Sequence, residues 1–98
     1  MAPQVINIAE KFSTFTDQWC PKVIAEMDGI QFRLARLEGD FVWQRHPDTD
    51  EAFLVMEGEL RMDFRRGNVV LGKGEMLVVP AGMEHKPSAQ SGHVSERH

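Results

Sequence analysis

The chain has 98 residues, with 11 Lys plus Arg against 15 Asp plus Glu and a formal net charge of −4. That length suits one domain, and the acidic balance argues against nucleic acid, because phosphate binding needs a cationic face. No apolar run approaches the ~20 residues of a membrane span, so neither nucleic acid nor a membrane is expected as a partner.

The first twelve residues, MAPQVINIAEKF, lack a basic start followed by an apolar core, so no secretory signal is expected. The single Cys20 cannot form an internal disulfide, and the two features together point to the cytoplasm. Asn7 is a good N-cap for a short helical segment over Ile8-Ala9-Glu10-Lys11-Phe12. Nothing after it reads as a long helix. Val23-Ile24-Ala25-Glu26-Met27 and Ile30-Gln31-Phe32-Arg33-Leu34-Ala35-Arg36 flank Asp28-Gly29, a hairpin signal because both turn positions need positive φ. Further short runs follow at Phe41–His46, Ala52–Met56, Leu60–Arg65, Val69–Leu71 and Met76–Val79, separated by turn residues that include Glu57-Gly58-Glu59. About eight short strands joined by Gly and Pro turns predict an all-β antiparallel sandwich or small barrel. Phe32, Leu34, Phe53, Val55, Met62, Phe64, Met76 and Val78 are the expected core.

Gln44 and His46 lie two apart and so share a face of their predicted strand, which leaves Phe41 and Trp43 on the other. Those two aromatics need a cover, either the N-terminal segment with Phe12, Phe15 and Trp19 or a second subunit. Glu51 lies beyond a turn, where parity is lost, and His85 follows the turn Pro80-Ala81-Gly82. Two His, a carboxylate and an amide on one wall would suit a divalent metal with open coordination positions. Spacing alone leaves the alternative open, with His46 an exposed loop-edge residue and His85 one that closes a turn.

A further pattern bears on that choice. Gly39, His46, Glu51 and Gly58 resemble the first motif of the cupin superfamily, and Gly74, Pro80, Gly82 and His85 resemble the second. The stretch from Pro21 to about Pro87 is similar to small single-domain cupins whose first motif reads roughly W-H-x-H-P-x-T-D-E; here it reads Trp43-Gln44-Arg45-His46-Pro47-Asp48-Thr49-Asp50-Glu51. The resemblance implies a cupin-type β-barrel, a double-stranded β-helix or jelly roll, with a short N-terminal helical segment. It implies one small domain over residues 1–98, with a core at about 21–88, an N-terminal arm at 1–20 and a polar tail at 89–98. It also implies a divalent metal, Zn, Fe, Mn or Ni, in the barrel mouth, held by Gln44, His46, Glu51 and His85.

Gln44 departs from the family pattern, which has His there, and an amide oxygen is the weaker donor for these metals. The implied function is binding or transformation of a small polar molecule, with dioxygenase- or isomerase-like chemistry. The alternative is a non-catalytic binding module, or a degenerate one that acts through dimer assembly. Neither the substrate nor any catalytic residue beyond the ligand set follows from the sequence. After His85 the chain turns polar, with Val94 its one large apolar residue, and reads as too poor in apolar residues for a last buried strand. An open sheet edge is therefore expected, covered by the arm or by a partner in a homodimer. His93 and His98, in this tail, are expected to bind no metal.

Overall fold

The computed structural model describes residues 2–97, and side chains for residues 2–89. The chain order is α1 (Ile8–Phe12), β1 (Lys22–Met27), β2 (Ile30–Asp40), β3 (Glu51–Phe64), β4 (Gly67–Gly72), β5 (Met76–Val79) and β6 (His85–Arg97). All named strand pairs are antiparallel, in the sheet order β1-β2-β6-β3-β4, with β5 also on β3. This is the expected all-β antiparallel architecture, with one short helix.

Local chemistry accounts for the elements that were predicted best. Asn7 Oδ1 accepts the Glu10 N–H at 3.0 Å and caps α1, as its position suggested. Met27 pairs with Ile30 across a two-residue loop in which Asp28 has φ 51° and Gly29 φ 78°. Both values lie in the left-handed region that an Asp-Gly hairpin turn uses.

The region expected as two strands around Glu57-Gly58-Glu59 is one continuous strand, β3. Its pairing with β6 shifts register between Val55 and Glu57 and again between Gly58 and Arg61. Gly58 has φ 82°, so the glycine makes a bulge here and not a chain reversal. The extra residue has a consequence for the core. Glu51, Phe53 and Val55 are buried at odd positions, whereas Leu60 and Met62 are buried at even ones. Without the bulge, strict alternation would turn one of these sets outward.

The barrel interior is filled by Ala35, Leu37, Phe53, Val55, Leu60, Met62, Leu71 and Val79, with Trp19, Phe64, Leu77 and Ala89 against them. Leu34, Phe53, Val55 and Met62 are core as expected. Met76 and Val78 are not, at 64% and 53% exposed; β5 turns Leu77 and Val79 inward instead. An apolar strand four residues long offers two equivalent faces, so its own sequence did not fix which one is buried.

Two expectations are corrected. Phe41–His46 is not a strand of its own. After a register shift between Leu37 and Gly39, the segment follows β6 through single contacts: Phe41 N–H to Pro87 O at 3.0 Å, and a bridge between Gln44 and His85. The tail is also more than a polar end. β6 runs to Arg97 and lies between β2 and β3, paired with both. Two flanking backbones supply its hydrogen bonds, so the strand forms despite its few apolar residues, and the edge expected to be open is filled by the chain itself. His93 and His98 concern side chains outside the described residues.

The N-terminal arm packs on the outer face of β2. Arg36 Nη2 donates to Phe12 O at 2.6 Å and its Nε to Phe15 O at 2.9 Å, with the guanidinium over both rings. Trp19 N–H donates to Arg36 O at 2.9 Å and Trp19 Nε1 to Glu38 O at 2.8 Å, which carries the indole to the barrel mouth.

Candidate metal centre

Three titratable side chains meet in the barrel mouth. Glu51 is the first residue of β3 and pairs with Val79 of β5. Directly opposed residues point to the same face, and Val79 is 2% exposed, so the Glu51 carboxylate is turned into the barrel. His85 begins β6 and is buried, and its ring meets that of Phe53 edge-on at 6.0 Å. His46 stands on the irregular segment, tied through its carbonyl to Gly82 N–H at 2.8 Å. Asp50 Oδ1 accepts the Ala81 N–H at 2.9 Å, so the loops carrying His46 and Glu51 are laced to the turn before His85. These backbone ties bring together residues that are far apart in sequence.

The distances are those of a ligand set. Glu51 Oε1 lies 3.2 Å from His46 Nε2 and 3.2 Å from His85 Nε2. Ligand atoms of all three residues fall within 4.8 Å of one another. Bonds of about 2.1 Å at 90–109° separate neighbouring ligand atoms by about 3.0–3.4 Å, so both Glu–His distances fit a shared ion.

The tautomer of His85 sharpens this. Its Nδ1 is 2.9 Å from the Met83 carbonyl, which can only accept, so Nδ1 carries the hydrogen. In a neutral ring Nε2 then presents a lone pair to a carboxylate oxygen, and two lone pairs at 3.2 Å require a cation between them, either a proton or a metal ion. The donor set of two imidazoles and one carboxylate suits a borderline divalent ion.

Gln44 lines the same cavity as His46 and Glu51, and its backbone pairs with His85 in both directions, at 2.9 and 3.0 Å. The cavity measures about 200 Å3, and Arg33, Leu37, Phe53 and Pro87 also contribute to its wall. Phe41, expected on the outer side, lines it too and stacks on Trp19 with centroids 4.8 Å apart and planes at 5°. Strand parity fails for Phe41 because the segment is not a strand. Trp43 does face away, and there the Arg65 guanidinium lies 3.7 Å from its ring centroid. The cover sought for Phe41 is thus Trp19 of the arm, and that for Trp43 is a side chain of the same molecule.

Sequence reasoning missed Arg33, Trp19 and Phe41 as cavity residues. Along β2, Phe32 and Leu34 share one face while Arg33, Ala35 and Leu37 share the other. Both faces carry apolar residues, so periodicity alone did not separate barrel interior from arm-covered exterior.

Residues 32–94 match the cupin domain family. An uncharacterised Bacillus subtilis (strain 168) protein, YdbB, is 36% identical over 81 residues, 82% of this chain, and the match spans 66% of that relative's length. A cupin-2 domain protein from Shewanella frigidimarina has the same fold at a TM-score of 0.94 and 50% identity, covering 96% of this chain and 93% of that one. Hydroquinone 1,2-dioxygenase from Sphingomonas sp. TTNP3, with 4-hydroxybenzoate bound, aligns at a TM-score of 0.86 and 19% identity over 97% of this chain and 32% of its own, a likeness of fold.

Proposed function

The chain belongs to the cupin domain family, and on that premise we propose that it holds a divalent metal ion on Gln44, His46, Glu51 and His85 and binds or transforms a small polar molecule beside it. The observation that carries this reading is the placement of Glu51 Oε1 at 3.2 Å from both imidazole Nε2 atoms. An ion of this class held there by Gln44, His46, Glu51 and His85 would supply Lewis-acid chemistry, polarising an oxygen of the ligand.

The chain's own residues set the rest. The Met83 carbonyl fixes the His85 tautomer and so leaves Nε2 facing Glu51 Oε1. His46, 36% exposed in its side chain, stands at the open side, whereas Glu51 and His85, at 4% and 1%, form the closed side. The stacked Trp19 and Phe41 rings shield part of the cavity from bulk water. Two imidazoles and one carboxylate leave coordination positions open, which supports oxygenase- or isomerase-type chemistry. Gln44 favours a second reading, a non-catalytic binding module with weaker metal affinity.

Metal analysis of the purified protein, together with Gln44→His, separates the two. About one metal per chain, with tighter binding by roughly 10–100-fold in Gln44→His, supports a working site. A wild type free of metal in excess Zn, Mn and Fe overturns it. A homodimer in the cytoplasm is part of the proposal. It is supported by Val69, Val70, Met76 and Val78, exposed on the strands that share one edge of β3, and by the free Cys20. Sedimentation that gives a monomer at every concentration would refute the dimer. Among the described residues, no helix is long and apolar enough to cross a membrane.

A further inference from the structure

One wall of the cavity does not belong to the barrel. Trp19 and Pro21 line it from the N-terminal arm, whereas the other lining residues come from β2, β3, β6 and the segment between β2 and β3. Trp19 is half-buried, so its ring stands between the chamber and solvent. It is held at three points. Its backbone N–H donates to Arg36 O at 2.9 Å, its Nε1 donates to Glu38 O at 2.8 Å, and the ring stacks on Phe41. The backbone of Trp19 has φ 55°, a left-handed conformation that is unfavourable for a bulky residue. Such a conformation persists only where the surroundings over-determine it, and the two hydrogen bonds and the stack supply that constraint. Trp19 is thus a fixed wall and not a swinging flap.

That wall is set apart from the ligand set along the barrel. Gln44 pairs with His85, the first residue of β6, and the Phe41 N–H donates to Pro87 O, two residues further on. Both β6 residues are buried, on the same face. At about 3.4 Å per residue, the Phe41 backbone is displaced by roughly 7 Å along β6 from that of His85. Trp19 lies on Phe41, so the chamber runs from Gln44, His46 and Glu51 at one end to the ring pair at the other.

Volume sets the scale of what fits between them. The cavity measures about 200 Å3, and an apolar cavity of about 150 Å3 takes up benzene. One six-membered ring with a short polar substituent therefore fills it. Leu37, Phe53 and Pro87 give the wall between the two ends an apolar lining that accepts such a body. A second ring in line with the first would have to take the place of the indole.

We infer that Trp19 is a specificity-determining residue: its indole closes the cavity at the end away from the ligand set and limits the ligand to a polar head with a body of one ring or its equivalent. This rests on the reading of the cavity as the functional site, and it makes the arm, not the barrel, the source of size selection.

Benzyl alcohol and 4-phenylbenzyl alcohol, which differ by one ring, serve as probes. They are titrated into the full chain in EDTA and again with Zn added. The methyl shifts of Ala35 and Leu37, which line the cavity, follow binding, so that probe on the outer surface is not counted. Wild type should bind the smaller probe at least about tenfold more tightly, because an oversized body must displace packed side chains. Overhauser contacts should join its ring to the Trp19 indole. Trp19→Ala should bind the larger probe at least about tenfold more tightly than wild type does, while its affinity for the smaller one falls. Trp19→Phe, which keeps a ring on Phe41, should lie between, and it carries the comparison if Trp19→Ala does not fold.

Equal wild-type affinities for the two probes, no uptake of the smaller one, or no Overhauser contact to the indole overturns the inference whether or not the variants fold. So does a folded variant in which both probes weaken together, the result expected of a merely structural tryptophan. Zn stoichiometry is measured on the same samples. A wild type that takes no Zn yet selects by size would sink the metal reading and leave the wall standing. Zn loading without size selection would do the reverse.

Discussion

Replacing each histidine by alanine in turn tests ligation against mere packing. Both His46→Ala and His85→Ala remove one of the two Nε2 atoms that lie 3.2 Å from Glu51 Oε1, so both should lose tight metal binding. Their costs in the metal-free protein should differ widely, because their surroundings differ. The His85 ring is 1% exposed, meets Phe53 edge-on and donates to Met83 O at 2.9 Å. Truncating it opens a cavity in a packed region and removes a hydrogen bond, for a cost of about 2–4 kcal/mol. In a domain of this size each kcal/mol moves Tm by about 4–8 °C, so a fall of roughly 10–30 °C is expected. His46 is 36% exposed on a loop, and its truncation should cost under about 1 kcal/mol. Thermal melts followed by circular dichroism in EDTA, beside Zn titrations of the same samples, give both quantities. The reasoning fails if His46→Ala destabilises the metal-free protein as much as His85→Ala does. It fails equally if either variant retains wild-type metal stoichiometry and affinity.

Gly58→Val places a β-branched residue at φ 82°, which costs about 1–2 kcal/mol in the left-handed region and should lower Tm by roughly 4–16 °C. An unchanged Tm would show that the bulge does not depend on glycine. The Lys22 ammonium, 2.8 Å from Asp17 Oδ2, holds the Asp17 carboxyl below its ordinary pKa, and Asp17 in turn raises that of Lys22. The Asp17 contribution to stability is present above the unfolded carboxyl pKa and is lost as pH falls through the lowered folded value. The Lys22 contribution is present below the unfolded amine pKa and is lost as pH rises through the raised folded value. In an NMR titration Lys22→Met should return Asp17 to the ordinary carboxylate range, and an unmoved midpoint would contradict the pairing.

Parts of the site were legible because they rest on short-range chemistry. The Asp28-Gly29 hairpin and the Asn7 cap follow from local backbone needs, and both are present. His46, Glu51 and His85 were readable as a group from motif spacing, and they do converge. The inward direction of Glu51 was not readable, since a turn separates it from His46; its pairing with buried Val79 supplies it. Phe41 was assigned outward on a strand parity that does not exist, because its segment meets β6 only at single points.

The sequence by itself determined an antiparallel β fold, the position of its tightest turn and the candidate ligand residues that meet in the barrel mouth. These depend on alternation, on φ preferences and on donor chemistry, all carried within a few residues. Tertiary structure decided which face of β2 lines the cavity, which face of β5 is buried, and where the chain after His85 goes. Such choices depend on strands distant in sequence: β6 gains its place from β2 and β3 on either side, not from its own apolar content. For the same reason Arg33, alternating with Phe32 and Leu34, could not be seen as a cavity residue until the barrel closed around it.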